Sequence, residues 1–333
     1  MARHWNWDFE DEPAERKAGQ PPQRPARPPA PPAAAPAEPP VRHAGGVPPA
    51  RRAQIRRRRV GAVVVALAIL IAVVAVLAGS HGKSRAETRL AGVAHAHRKP
   101  VTETESDQKA AVARVLAYTP FVREGNGRAH DVALTFDDGP GPYTPGVLSV
   151  LERFHVHATF FVVGKMLEFF SSSAVRAVED GDVIGNHTED HPALAQLSAR
   201  DQREQLSEQS ARVELVGGRR PDLFRPPYGS FNETTLRELK AEHLLMVVWS
   251  TDTDDFRQPG VETIVHNALE GAHPGAIILM HDAGGDREQT IAALPQIIRG
   301  IQEKGLRLVT VPELLMDEPP PPGQPLPPNL SGG

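Results

Sequence analysis

The chain has 333 residues, enough for two domains on length alone, but 13 of its 33 prolines fall in residues 1–59 and 7 in residues 317–333. Both ends are too proline-crowded and apolar-poor to offset the entropy of folding, which leaves a central stretch as the globular body. The net charge of −4 hides an asymmetry, because residues 129–316 carry 16 Lys and Arg against 28 Asp and Glu. A body that acidic repels phosphate backbones, so nucleic acid is excluded as the main partner. The absence of cysteine removes disulfide partners, thiolate zinc sites and cysteine nucleophiles together.

In chain order, residues 1–59 read as a disordered Pro/Arg-rich segment ending in four consecutive arginines, Arg56 to Arg59. Residues 60–79 form an uncharged apolar run without proline, and about 20 residues at ~1.5 Å each match the ~30 Å hydrocarbon core of a bilayer. A buried helix of a soluble protein would show a polar face, and this run has none. More Lys and Arg precede the run than follow it, so the positive-inside rule places the N-terminus in the cytoplasm and the rest outside. Cleavage as a signal peptide, giving a secreted protein, is the alternative, and the long cationic lead argues against it.

Residues 80–128 read as an extracytoplasmic spacer with one weakly helical stretch near 108–116. From residue 129 to 316 short apolar runs alternate with amphipathic ones. Strands are expected over 132–136, 159–163, 182–185, 223–224, 244–249, 276–280 and 307–311. Helices are expected over 147–154, 173–179, 198–216, 233–242, 261–269 and 288–304, and Ser198 with Asp201 forms a capping-box pattern at the third helix. This is an α/β fold, a distorted (β/α) barrel of about seven parallel strands preceded by one transmembrane helix. Residues 317–333 read as a disordered proline-rich tail.

In a parallel barrel, catalytic groups gather where strands end at the C-terminal face. The first strand runs into Asp137 and Asp138 ahead of Gly139-Pro140, and the third into His187-Thr188-Glu189-Asp190-His191. Two histidines four apart share a face of a helical turn, and with one aspartate they make three ligands with a position open for water, which suits catalytic zinc. The following strand ends bring Arg225-Pro226-Pro227-Tyr228, then Asp252 to Phe256, then His281. Each motif alone also fits a turn, a surface pair or a core residue, but together they converge on one barrel face. Other patterns fail. His155-Val156-His157 precedes its strand and so lies at the wrong end of the barrel. His95 and His97 sit in the spacer, and Gly82-Lys83-Ser84 lacks the first glycine of a phosphate loop. A glycan on the Asn186 sequon would block the metal. His187 and His191 lack the glutamate base of a zincin, and no Gly-x-Ser-x-Gly elbow is present.

The five motifs Thr-Phe-Asp-Asp-Gly, His-Thr-x-x-His, Arg-Pro-Pro-Tyr, Asp-Thr-x-Asp-Phe and Leu-Met-His, in this order over roughly 129–315, resemble the polysaccharide deacetylases of carbohydrate esterase family 4, the chitooligosaccharide deacetylase homology domain. The resemblance implies a metal-dependent hydrolase that removes acetyl groups, chiefly N-acetyl, from an extracytoplasmic or cell-wall polysaccharide. It implies one divalent metal ion, Zn2+ or Co2+, held by Asp138, His187 and His191. It further implies Asp137 as general base held by Arg225, and the Tyr228 backbone N–H as oxyanion donor. His281 would be the general acid, supported by Asp252, with Phe256 standing where the family often has tryptophan on the substrate wall. The competing readings are a surface-anchored carbohydrate-binding relative without catalysis, an amidase on small amides using the same barrel, and an iron oxygenase with a two-histidine, one-carboxylate triad. No ligand or base is lost, which argues against the first, and the strand–helix alternation argues against the last.

Overall fold

The computed structural model describes residues 103–217 and 219–325. The segments 1–59, 60–79 and 80–102, with the expected disordered lead and membrane helix, lie outside the described residues. Among the described residues no helix is long and apolar enough to cross a membrane.

In chain order the elements are α1 (Glu103–Leu116), β1 (Phe121–Val122), β2 (Asp131–Asp137), α2 (Thr144–Phe154), β3 (Thr159–Val162), α3 (Leu167–Asp180), β4 (Val183–Asn186), α4 (Ala199–Gly217), β5 (Leu223–Phe224), α5 (Glu233–Ala241), β6 (Leu245–Val247), β7 (Thr251–Asp252), α6 (Val261–Gly271), β8 (Ile277–His281), α7 (Glu288–Glu303), β9 (Arg307–Val309) and α8 (Val311–Asp317). The strands lie in the order β1-β6-β5-β4-β3-β2-β8-β7, with β9 on the lower part of β2, and every ladder is parallel. No ladder among the described residues joins β1 to β7. The sheet is therefore a curled half-barrel, and its nine strands exceed the seven expected by the two-residue edges β1 and β7.

Side chains alternate across each strand, and here the alternation separates scaffold from site. Val132, Leu134 and Phe136 of β2, Phe160 and Val162 of β3, and Ile278 and Met280 of β8 share one core with the outer helices α2, α3, α6 and α7. Their neighbours Ala133, Phe161, Leu223, Leu245, Val247 and Ile277 share a second core inside the curl, closed by apolar residues of α1 and α8. Continuing the inner row past Ala133 gives Thr135 and Asp137. Past Leu223 it gives Arg225, and past Ile277 it gives Leu279 and His281. The interior is thus apolar at the bottom and charged at the C-terminal mouth.

The domain extends beyond both expected boundaries. In α1, placed in the spacer by sequence, Ala111, Val112 and Val115 are buried in the inner core. The expected strand over 307–311 stops at Val309, because Thr310 caps α8: its hydroxyl accepts from Glu313 N, and Glu313 returns a carboxylate oxygen 2.9 Å from Thr310 N. Past α8 the chain is held rather than loose. Glu318 is fully buried and its Oε1 accepts from Asp131 N at 3.0 Å. The Tyr118 hydroxyl donates to Pro320 O at 2.7 Å, and Arg123 N donates to Gln324 Oε1 at 2.8 Å. At the expected capping box, Ser198 Oγ does accept from Asp201 N, at 3.3 Å, but donates back to that aspartate's own carboxylate at 2.8 Å.

These contacts predict that a chain beginning at residue 129 loses Val112, Val115 and Val122 from the inner core, at about 1.5–3 kcal/mol each. Its urea midpoint should fall well below that of a chain beginning at residue 103. Equal midpoints would show α1 and β1 to be dispensable.

Candidate active site

Asp137 closes β2 and Asp138 follows it into the turn toward Pro140. Asp138 holds a left-handed backbone, φ 72°, which swings its carboxylate toward the mouth. Its Oδ1 lies 3.4 Å from His187 Nε2 and 3.1 Å from His191 Nε2. Among the described residues these three alone bring ligand atoms within 4.8 Å of one another, and all three are buried. Glycine is required at position 284, where φ is +77° and an added Cβ would sit 2.4 Å from Asp138 Oδ2.

His187 is fixed from behind. Its Nδ1 lies 2.8 Å from the Arg225 carbonyl oxygen, an acceptor only, so the proton resides on Nδ1 and Nε2 presents its lone pair to the site. His191 Nδ1 lies 3.1 Å from the Tyr228 hydroxyl. Burial holds His191 below its ordinary pKa, against the pull of Asp138, and so favours the neutral ring that ligates metals. Burial works against ionisation of Asp138, yet the neighbouring histidines, His191 foremost, keep its carboxyl well below the usual range. An ionised carboxylate and two buried imidazole nitrogens facing one point are a donor set that fits a divalent cation of the zinc type.

Asp137 lies beside this set, with Oδ2 3.8 Å from His187 Nε2. Its Oδ1 accepts from Arg225 Nη1 at 2.8 Å. The guanidinium is fully buried, lies over the Phe161 ring at 4.3 Å, and donates also to Thr135 Oγ1 and to the carbonyls of Val247 and Val248.

His281, at the end of β8, corrects one expectation. Its Nδ1 lies 2.7 Å from Asp255 Oδ1, not against Asp252. Asp255 is anchored in turn, its Oδ2 accepting from His281 N at 2.9 Å and from Thr290 Oγ1 at 2.7 Å. Asp252 instead accepts from Asp254 N, two residues on, as a turn-forming aspartate does. The reason is local: β7 ends at Asp252 and the chain bends through a left-handed Asp254 at φ 53°, so the third carboxylate swings back to β8. Burial alone would lower the His281 pKa, but Asp255 raises it to about 9. The Phe256 ring lies against His281 at 5.4 Å, and Tyr228 is 46% exposed beside His191.

Two further residues escaped sequence reasoning. Asp282 is fully buried behind the Asp137–Gly141 turn, where its Oδ2 accepts from Thr144 Oγ1 at 2.5 Å, and burial raises its pKa to about 7. Glu189, between the two histidines, is buried and pairs with Arg212 of α4 at 2.6 Å. His155 and His157 line a cleft of about 170 Å³ with Leu148, Glu152, Asp180 and Asp182, before β3 and β4 and away from these groups.

A half-barrel that gathers buried carboxylates and imidazoles around one point at its C-terminal mouth has the groups that a hydrolase uses. The polysaccharide deacetylase family model matches residues 124–247. A peptidoglycan-N-acetylglucosamine deacetylase of Bacillus cereus is 38% identical over 186 residues, which span 55% of this chain and 68% of that protein. A chitooligosaccharide deacetylase of Azorhizobium caulinodans is 34% identical, over 54% of this chain and 92% of that one. The crystal structure of the Bc1960 peptidoglycan N-acetylglucosamine deacetylase superposes with a TM-score of 0.58 at 36% identity, covering 61% of this chain and 95% of that one. The chain belongs to the polysaccharide deacetylase family, as its five motifs suggested, and it is an enzyme that hydrolyses carbon–nitrogen bonds.

Because Asp255 holds the imidazolium, Asp255→Asn is predicted to move the alkaline limb of the pH–rate profile down from the region of pH 9, with a rate loss of roughly 10²–10⁴-fold. The sign follows from the raised folded pKa: the pair stabilises the fold below the ordinary histidine range, and that contribution fades as pH rises through about 9. Asp252→Asn should leave the limb in place. The opposite pattern, read from kcat/KM against pH, would return the role to Asp252.

Proposed function

We propose that the enzyme removes N-acetyl groups from a cell-envelope glycan of the peptidoglycan type, using one divalent ion held by Asp138, His187 and His191, with Zn2+ or Co2+ as the suited ions. The observation that carries this reading is the placement of an arginine-held carboxylate, Asp137, and a carboxylate-held imidazole, His281, around one buried ligand set. The names of the similar peptidoglycan and chitooligosaccharide deacetylases support the substrate class.

When bound, the ion would polarise the acetyl carbonyl and acidify the attacking water. Asp137 takes a proton from that water as its oxygen bonds to the acetyl carbon. Arg225 holds Asp137 in place, since among the described residues Asp137 is the one carboxylate in the guanidinium's hydrogen bonds. The Tyr228 backbone N–H donates to the oxygen on which charge develops. His281 then protonates the sugar nitrogen as the carbon–nitrogen bond breaks, releasing acetate and a free amine. An imidazole raised to about 9 is protonated at neutral pH, and amine departure needs that proton more than alcohol departure does, which favours amide over ester cleavage. Phe256, against His281, and Tyr228, at the mouth, supply apolar faces for the acetyl methyl and the sugar.

The apolar run over 60–79 and the arginines before it support a single-pass anchor with the enzyme outside the membrane, where envelope glycan would be in reach.

Acetate release from purified sacculi by the full-length protein, abolished by chelator and restored by Zn2+ or Co2+, is the expected result, and chelator-resistant release would overturn the metal reading. Asp138→Ala should lose the ion, whereas Asp137→Asn should keep it and lose turnover by roughly 10²–10⁴-fold; equal ion loss in both means the base is misassigned. The full-length chain should sediment with membranes and withstand carbonate washing, while a mature protein beginning near residue 79 would establish cleavage instead.

A further inference from the structure

The two histidines that face Asp138 are oriented by different means. Behind His187 stands a backbone carbonyl, that of the fully buried Arg225, which dictates the tautomer. Behind His191 stands the Tyr228 hydroxyl, 3.1 Å from Nδ1, with the two rings edge to face at 4.7 Å. A hydroxyl can accept or donate, so it does not dictate the tautomer by chemistry alone. If it donates to Nδ1, the imidazole proton sits on Nε2, in the space toward Asp138 where a cation would lie. If it accepts from Nδ1–H, the Nε2 lone pair faces that space.

Tyr228 is built for this contact. It sits in a left-handed conformation, φ 56°, between prolines and glycine in Pro226-Pro227-Tyr228-Gly229, a backbone state that a bulky residue adopts only when the surroundings enforce it. His191 is also left-handed, φ 61°, and its N–H donates to Thr188 Oγ1 at 3.0 Å. Two constrained backbones thus meet through the hydroxyl and the ring.

We propose that the Tyr228 side chain, as distinct from its backbone N–H, is a positioning residue for the metal: its hydroxyl accepts the Nδ1–H of His191 and presents Nε2 as a ligand. This rests on the metal-site reading above. Outer partners that fix a ligating histidine are worth about 10–100-fold in metal affinity. Removing the hydroxyl alone should therefore weaken the ion without touching Asp138, His187 or His191 themselves.

The test uses the full-length protein with Zn2+ as the probe. Zinc affinity is measured by competition with a chromophoric chelator, and histidine ring nitrogens are followed by 15N NMR before and after zinc is added. Tyr228→Phe should weaken zinc by about 10–100-fold. In its metal-free form the His191 signals should shift toward a mixture of tautomers, while the metal-free melting temperature stays that of the parent. Unchanged affinity overturns the proposal, as does weakened affinity accompanied by an equal loss of metal-free stability, which would mark a structural role. If Asp138→Ala binds zinc as tightly as the parent, the metal-site reading has failed, and the proposal falls with it for that separate reason.

Discussion

Arg225 is the residue through which the halves of the site are connected. Its side chain makes four hydrogen bonds inside the curl of the sheet, one of them to Asp137, and its backbone carbonyl accepts from His187. The proposed base and one proposed ligand are therefore referred to a single fully buried residue. A guanidinium suits this position because its planar fork can satisfy several acceptors at once while its face lies on Phe161. Buried ion pairs contribute little net stability, and breaking one by removing a partner costs about 3–5 kcal/mol because an unpaired charge is left in low dielectric. The interaction is better understood as geometry than as glue.

Around that fixed point the backbone is constrained. Asp138, Thr188, His191 and Tyr228 all take left-handed conformations, which cost a non-glycine residue of order 1 kcal/mol or more. They follow β2, β4 and β5, of which β4 and β5 are paired and β3 separates β4 from β2. The curled sheet holds these turns rigidly enough to keep them strained, and the strain aims side chains that an ordinary turn would send elsewhere. His281, the proposed acid, follows the same logic by other means: Asp255 is reached only because the chain bends back after β7, and both its oxygens are then occupied by His281 and Thr290.

Much of this was legible in the chain. Seven of the strands and six of the helices are placed by apolar periodicity, because side chains alternate on strands and recur every three to four residues on helices. The residues at strand ends could be read because a parallel sheet gathers its C-terminal ends on one face. The helix after β9 carries a local signal that the strand expected over 307–311 overlooks, the Thr310-x-x-Glu313 capping box with Pro312 inside it.

Sequence by itself determined the type of chemistry, since two histidines, paired aspartates, an arginine and a strand-terminal histidine in that order leave few alternatives to assisted hydrolysis. Tertiary structure alone decided which aspartate serves His281. Asp252, Asp254 and Asp255 are chemically identical, and only the left-handed bend at Asp254 separates a turn-forming carboxylate from a partner. It also decided where the domain ends, because α1 is buried against strands distant in sequence and Glu318 against Asp131, pairings that no local pattern announces. Periodicity reports the faces of an element, but pairing between distant segments depends on where the folded chain brings them, and that is set by the closure of the whole sheet.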